Sequence, residues 1–152
     1  MRSPGSEPLE PGRSEAKNGL PVDGAGEPQV ERLLESAQAD PEVMAAIIFG
    51  SAVRGERAAT SDIDVCLVCC PGETDRLALS RKRLDYAGLD IDVHIFQLLP
   101  IYIRRRVLKE GRVLFCRDEE ELYELAFRTA QAFEDFKHIY HEYLEEVARA
   151  GP

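Results

Sequence analysis

From Gln29 onward the apolar positions fall into regular periods. Val30, Leu33, Leu34 and Ala37 recur at i, i+3, i+4 and i+7, the spacing of one helical face, and Asp40-Pro41 ends the run. Met44-Ala45-Ala46-Ile47-Ile48-Phe49 is a short apolar block stopped by Gly50-Ser51, which suits a strand buried on both faces. Ala52 to Arg57 predicts a short helix, and Ile63 to Cys69 a second buried strand closed by Pro71-Gly72. Thr74 to Tyr86 predicts a helix with Leu77, Ala78 and Leu84 toward one side, broken at Gly88. Leu89 to Phe96 alternates strictly, with Asp90, Asp92 and His94 on one face and Ile91, Val93 and Ile95 on the other. A helix over Ile101 to Lys109, ended by Gly111, precedes a short strand at Val113 to Cys116. Asp118, with Glu121 three residues on, reads as a capping box opening a last helix. That helix carries Leu122, Leu125, Phe133, Phe136, Tyr140, Leu144 and Val147. From Glu119 to Arg149 it would run about 46 Å at 1.5 Å per residue, longer than a small domain is wide, so it projects or bends. Strands and helices interleave, which is an α/β (α+β) pattern.

Residues 1–28 break from this periodicity. They hold five Pro and five Gly with no apolar block, too little apolar surface to offset chain entropy, and predict a disordered tail. The remainder, 29–150, reads as a single domain with a core at 29–117 and a terminal helix at 118–150. A length of 152 residues agrees with one domain. No uncharged stretch approaches the roughly 20 residues of a membrane helix. The acidic, block-free start matches neither a secretory signal nor a mitochondrial leader. Cys66, Cys69, Cys70 and Cys116 sit among aliphatic residues, as core thiols in a reducing cytoplasm would. The net charge of −9 divides unevenly: −2 over residues 1–28, zero over 29–117 and −7 over 118–152. A general nucleic-acid binder would carry a basic core, so none is expected here. A neutral core can still handle phosphates if divalent metal supplies the positive charge.

The segment that carries chemistry is Phe49-Gly50-Ser51, ten intervening residues, then Asp62-Ile63-Asp64. Asp62 and Asp64, two apart at a strand start, project from the same face, and such like charges need a compensator. Their hard oxygen ligands select Mg²⁺ or Mn²⁺. Gly50-Ser51, where a strand runs into a helix start, leaves backbone N–H groups free for phosphate oxygens, and the Ser51 hydroxyl adds a further hydrogen bond. Together these features point to metal-assisted phosphoryl or nucleotidyl transfer.

Phe49-Gly50-Ser51, Arg54-Gly55 and Ser61-Asp62-Ile63-Asp64 resemble the signature of the DNA polymerase β-like nucleotidyltransferases. Within that superfamily the chain is similar to the minimal nucleotidyltransferases, small proteins often paired with HEPN-domain toxins. The resemblance implies a small mixed β-sheet flanked by helices, with a long C-terminal helix like that of the paired antitoxins. It implies transfer of AMP from ATP to a hydroxyl, in the antitoxin branch a tyrosine of the toxin. By the same resemblance Gly50 and Ser51 hold the triphosphate and Asp62 and Asp64 bind two Mg²⁺ ions, with Mn²⁺ as the alternative. A third carboxylate on a neighbouring strand binds one metal and helps to deprotonate the attacking hydroxyl. Asp90 and Asp92 are both candidates; Asp92 is preferred, because Asp92-Val93-His94-Ile95-Phe96 opens an alternating apolar run as the family's third Asp does.

Other groups read more plainly. Arg54 either touches phosphate or makes a surface ion pair. His94, alone among the aspartates, reads as structural. Arg104, Arg105, Arg106 and Lys109 form a basic cluster expected to pair with the acidic last helix or to stay solvated. Phe133, Phe136, Tyr140 and Tyr143 read as docking surface, internal or for a partner. Two further functions stand beside the adenylyltransferase: a non-catalytic antitoxin that acts by binding alone, and transfer to a small molecule. The latter is less favoured, since nothing after the core supplies a second domain to enclose such a substrate.

Overall fold

The computed structural model describes residues 26–54, 63–72 and 75–151. The expected tail, up to residue 25, lies outside the described residues, as do Gly55, Ser61 and Asp62 and the side chain of Arg54. The elements follow as α1 (Glu27–Ala39), β1 (Val43–Phe49), α2 (Ser51–Arg54), β2 (Ile63–Cys69), α3 (Arg76–Leu84) and β3 (Ile91–Ile95). A 3-10 turn (Phe96–Leu98), α4 (Ile101–Glu110), β4 (Arg112–Cys116) and α5 (Glu119–Arg149) complete the chain. The four strands form one mixed sheet in the order β3-β2-β1-β4. β1 runs antiparallel to β2 and β4, whereas β2 and β3 are parallel.

All seven residues of β1 are buried, as its unbroken apolar run requires of a central strand covered on both faces. One face of the sheet packs Ala46, Ile48, Val65 and Leu67 against α1 and against Leu79 and Tyr86. The other packs Ile47, Phe49, Cys66 and Val68 against Phe96 and Val107, with Leu122 and Leu125 of α5 beyond them. Cys66 and Cys69 point to opposite faces as core thiols, and burial pushes both up, Cys69 to about 11.

Two expectations need correcting. Leu77 and Leu84 of α3 face solvent, and the helix buries Leu79 instead, with Tyr86 just beyond it. Its phase is set at the start, where Asp75 accepts from the Leu77 N–H. That phase also turns Lys82 inward, onto Asp40 at 2.9 Å and Glu42 at 3.3 Å. Of the two readings of the basic cluster on α4, pairing with the acids of α5 is not what forms, while Arg106 and Lys109 are exposed to solvent as the other reading has it. Arg106 pairs within its own helix to Glu110, and Arg105 meets α5 through the ring of Phe133, 4.5 Å from its centroid.

α1 lacks a basic residue in its last turn, yet its C-terminal carbonyls are not left bare. Arg117, from beyond β4, donates to the carbonyls of Gln38 and Asp40 at 3.0 and 3.1 Å, and its Nε to Val43 at 3.1 Å. A guanidinium there satisfies carbonyls near the helix end and opposes the negative end of the helix dipole.

Asp40 anchors the other side of that loop, accepting from Lys82, from the Glu42 N–H and from the Tyr86 hydroxyl at 3.0 Å. Burial opposes ionisation of Asp40, but these hydrogen bonds outweigh it and hold the carboxyl below its ordinary 3.8. Burial also disfavours charge on Lys82, and Asp40 outweighs that too, raising the amine above 10.5. The Asp40 contribution is therefore present above pH 3.8 and lost as pH falls through the lowered value. The Lys82 contribution is present below pH 10.5 and lost as pH rises through the raised one. Lys82→Met is expected to cost roughly 1–3 kcal/mol at neutral pH. Urea unfolding should show the gap from wild type narrowing below about pH 4; a gap that stays constant would count against the pairing.

Candidate active site

β2 and β3 run parallel with Asp64 opposite Asp92 and Cys66 opposite His94. Because side chains alternate along a strand, Asp64, Asp92 and His94 share the face on which Phe49 and Cys66 are buried. On that face the apolar core continues toward β1, under α4 and the start of α5, and ends where the two aspartates begin. Side-chain exposures of 28% for Asp64, 42% for Asp92 and 25% for His94 mark an open rim, not a core.

The His94 imidazole lies between the carboxylates, its Nε2 3.2 Å from Asp64 Oδ1 and 3.4 Å from Asp92 Oδ2. A ring nitrogen facing two carboxylate oxygens donates, so Nε2 carries the hydrogen in this arrangement. Phe49 packs against the same ring, 5.4 Å between centroids. His94, expected to be structural, therefore belongs to the cluster. The signal was its spacing: two residues after Asp92 on an alternating strand fixes a shared face.

Asp90 sits in the bend before β3, exposed and outside the paired register, whereas Asp92 is within it. Arg83 of α3 approaches Asp92 at 3.8 Å and donates through Nε to the Val93 carbonyl at 2.9 Å. Gly50 closes the other side. Its φ is +84°, and a Cβ there would lie 2.8 Å from Asp64 Oδ2, so the backbone turns beside the carboxylate only because no side chain intervenes. Ser51 follows at the start of α2, half-buried. The structure thus brings Gly50, Ser51, Asp64 and Asp92 to one end of the sheet, while Asp62 lies outside the described residues.

One ligand atom from each of Asp64, Asp92 and His94 lies within 4.8 Å of the others, which suits a single divalent cation. Two carboxylates held this close favour a cation between them, and oxygen donors with one imidazole accept Mg²⁺ or, more readily, Mn²⁺. The two carboxylates are donors of the kind that Mg²⁺ or Mn²⁺ takes, and Asp62, the further ligand that the resemblance implies, lies outside the described residues.

A parallel β2–β3 pair presenting aspartates beside a Gly-Ser turn is the arrangement that a nucleotidyl-transfer enzyme needs. The sequence matches the family described as Polymerase beta, Nucleotidyltransferase over residues 31–120, and the chain belongs to that family of nucleotidyltransferases. A protein of Methanocaldococcus jannaschii, provisionally named a protein adenylyltransferase, is 31% identical over 96 residues, 63% of this chain and 74% of its own. Among solved structures, a chain of a toxin–antitoxin crystallised with AMP-PNP superimposes with a TM-score of 0.62 at 18% identity, over 80% of this chain and 98% of its own. A chain of a tri-AMPylated HEPN toxin from Shewanella oneidensis in complex with its MNT antitoxin gives 0.59 at 14% identity, over 81% and 98%. At those identities the two structures show the shared fold, the long C-terminal helix included.

Mn²⁺ with a non-hydrolysable ATP analogue is expected to raise the melting temperature, since a ligand at about 100 times its Kd adds about 2.7 kcal/mol to the native state. Asp64→Asn with Asp92→Asn should remove that rise and leave the unliganded melting temperature within a few degrees of wild type. A rise that survives in the double variant would place the metal elsewhere. Gly50→Ala should cost at least about 1 kcal/mol through its left-handed backbone and weaken Mn²⁺ binding by displacing Asp64.

Proposed function

We propose that this nucleotidyltransferase moves AMP from ATP to a protein hydroxyl, and that the acceptor is a tyrosine of a HEPN toxin for which the chain is the antitoxin. The observation that carries this reading is the pairing of Asp64 with Asp92 across the parallel strands, with Gly50 against Asp64. The relative's name and the titles of the solved complexes supply the acceptor class.

In this reading the strand-to-helix turn at Gly50-Ser51 binds the triphosphate through backbone N–H groups and the Ser51 hydroxyl. Asp64 and Asp92 hold divalent metal, with Asp62 as the further ligand implied by the motif spacing. When bound, Mg²⁺ or Mn²⁺ neutralises the triphosphate and polarises the α-phosphoryl group. Asp92, the more exposed of the pair, accepts the proton of the incoming hydroxyl as its oxygen attacks the α-phosphorus. The new P–O bond forms as the bond to pyrophosphate breaks. Without metal, His94 steadies both carboxylates by donating between them; to join them as a metal ligand it would present that nitrogen without its hydrogen.

Mass spectrometry tests the reading. A HEPN toxin incubated with the protein, ATP and Mg²⁺ should gain adenylate on tyrosine, and Asp64→Asn should abolish the addition. Asp92→Asn should lose transfer while keeping most nucleotide affinity; Asp90→Asn should remain active. If wild type and Asp64→Asn neutralise the toxin equally, with no adenylate on any side chain, the chain acts by binding alone.

A further inference from the structure

The stripe of α5 that is packed in its first half continues, uncovered, through its second. Leu122 and Leu125 belong to the core beneath α4, and Phe133 is half-buried under Arg105. Beyond Phe133 every residue to Gly151 is exposed. Yet Phe136, Ile139, Tyr140, Tyr143, Leu144 and Val147 keep the pattern, with exposures of 39% to 64%. This is a contiguous apolar face on a projecting helix, the kind of surface that marks an interface.

Three features say what covers it. Phe133, Phe136, Tyr140, Tyr143 and Val147 follow a 3-4-3-4 spacing, the seam by which one helix packs along another. Ile139 and Leu144 flank that seam on opposite sides, so the stripe is wider than a single facing helix covers and calls for two. The aromatic rings are already ordered: Phe133 and Phe136 lie 6.5 Å apart between centroids, and Phe136 stacks on Tyr140 at 5.9 Å with 13° between planes. Rings held in their packed arrangement lose little freedom on binding. Charge argues against a second copy of this chain, since residues 118–152 sum to −7 and self-pairing would bring two such segments together.

We infer that residues 136–147 of α5 dock into an apolar groove between two helices of a partner protein. Resting on the proposed function, the partner is the HEPN toxin, and α5 is the strut that presents it to the site. The acids Glu134, Asp135, Glu142 and Glu145 stay on the opposite side of the helix, where ion pairs such as Lys137–Glu134 and His138–Glu142 support the helix without its partner.

The experiment titrates purified HEPN toxin with wild type and with Phe136→Glu/Tyr143→Glu, and measures AMP transfer in parallel. Circular dichroism checks that the variant keeps its helix content, and sedimentation gives the mass of each chain alone. The expected result is a monomeric wild type and a loss of affinity of at least about 100-fold in the variant, from aromatic anchors of the hot-spot kind. Tyr123→Glu, on another face of α5, should bind as wild type. Equal binding by the double variant would overturn the docking surface while leaving the transfer reading intact. A wild-type dimer that the double variant dissociates would hand the surface to a second copy. Neither complex nor transfer with wild type would overturn both readings.

Discussion

Burial of β1 on both faces constrains everything around it. A strand with no polar side chain cannot slip by one residue without exchanging its two apolar faces, so its registers with β2 and β4 are fixed by the packing on each side. Those registers place Phe49 opposite Asp64 and bring the turn at Gly50 against the Asp64 carboxylate. The parallel register of β2 with β3 then sets Asp92 beside Asp64. The chemistry at the end of the sheet is thus positioned by hydrophobic packing in its middle.

The two faces of the sheet divide the labour. One is sealed by α1 and α3 and contributes stability, secured by the Asp40–Lys82–Tyr86 contacts. The other is sealed only toward β1 and β4, where α4 and α5 lie, and opens toward β3. Like-charged aspartates are tolerable at that open rim because water and the His94 N–H reach them, and a cation can as well. Among the described residues no helix is long and apolar enough to cross a membrane.

Much of this was legible in the sequence because the signals were strong and local. The apolar block before Gly50-Ser51, the strict alternation around Asp92 and the cap at Asp118 each specify one geometry. The structure follows them, with Asp118 accepting from the Glu121 N–H at 3.2 Å. What sequence could not settle depended on distant partners. The phase of α3 differs from its apolar pattern because Lys82, a charged residue, turns inward to an aspartate 42 positions earlier. The shared face of His94 and Asp92 is readable from the strand alternation, but the contact of His94 with Asp64 lies across a strand boundary. The contact of Arg105 with a flat ring 28 positions on is invisible to charge counting, which offers only an acidic partner or solvent.

Arg117 has a consequence for how the chain comes together. The carbonyls it binds at the end of α1 lie 77 to 80 positions earlier. During synthesis, α1 and the first two strands leave the ribosome long before the residue that caps them. The nascent α1 must either fray or wait on the sheet, and its last turn closes only when β4 has paired at the opposite edge. The strand order demands the same delay, since β4 joins β1 last in sequence yet beside it in space. The long loop between β1 and β4 therefore closes late in synthesis, and the end of α1 gains its guanidinium only after β1, β2 and β3 have been made.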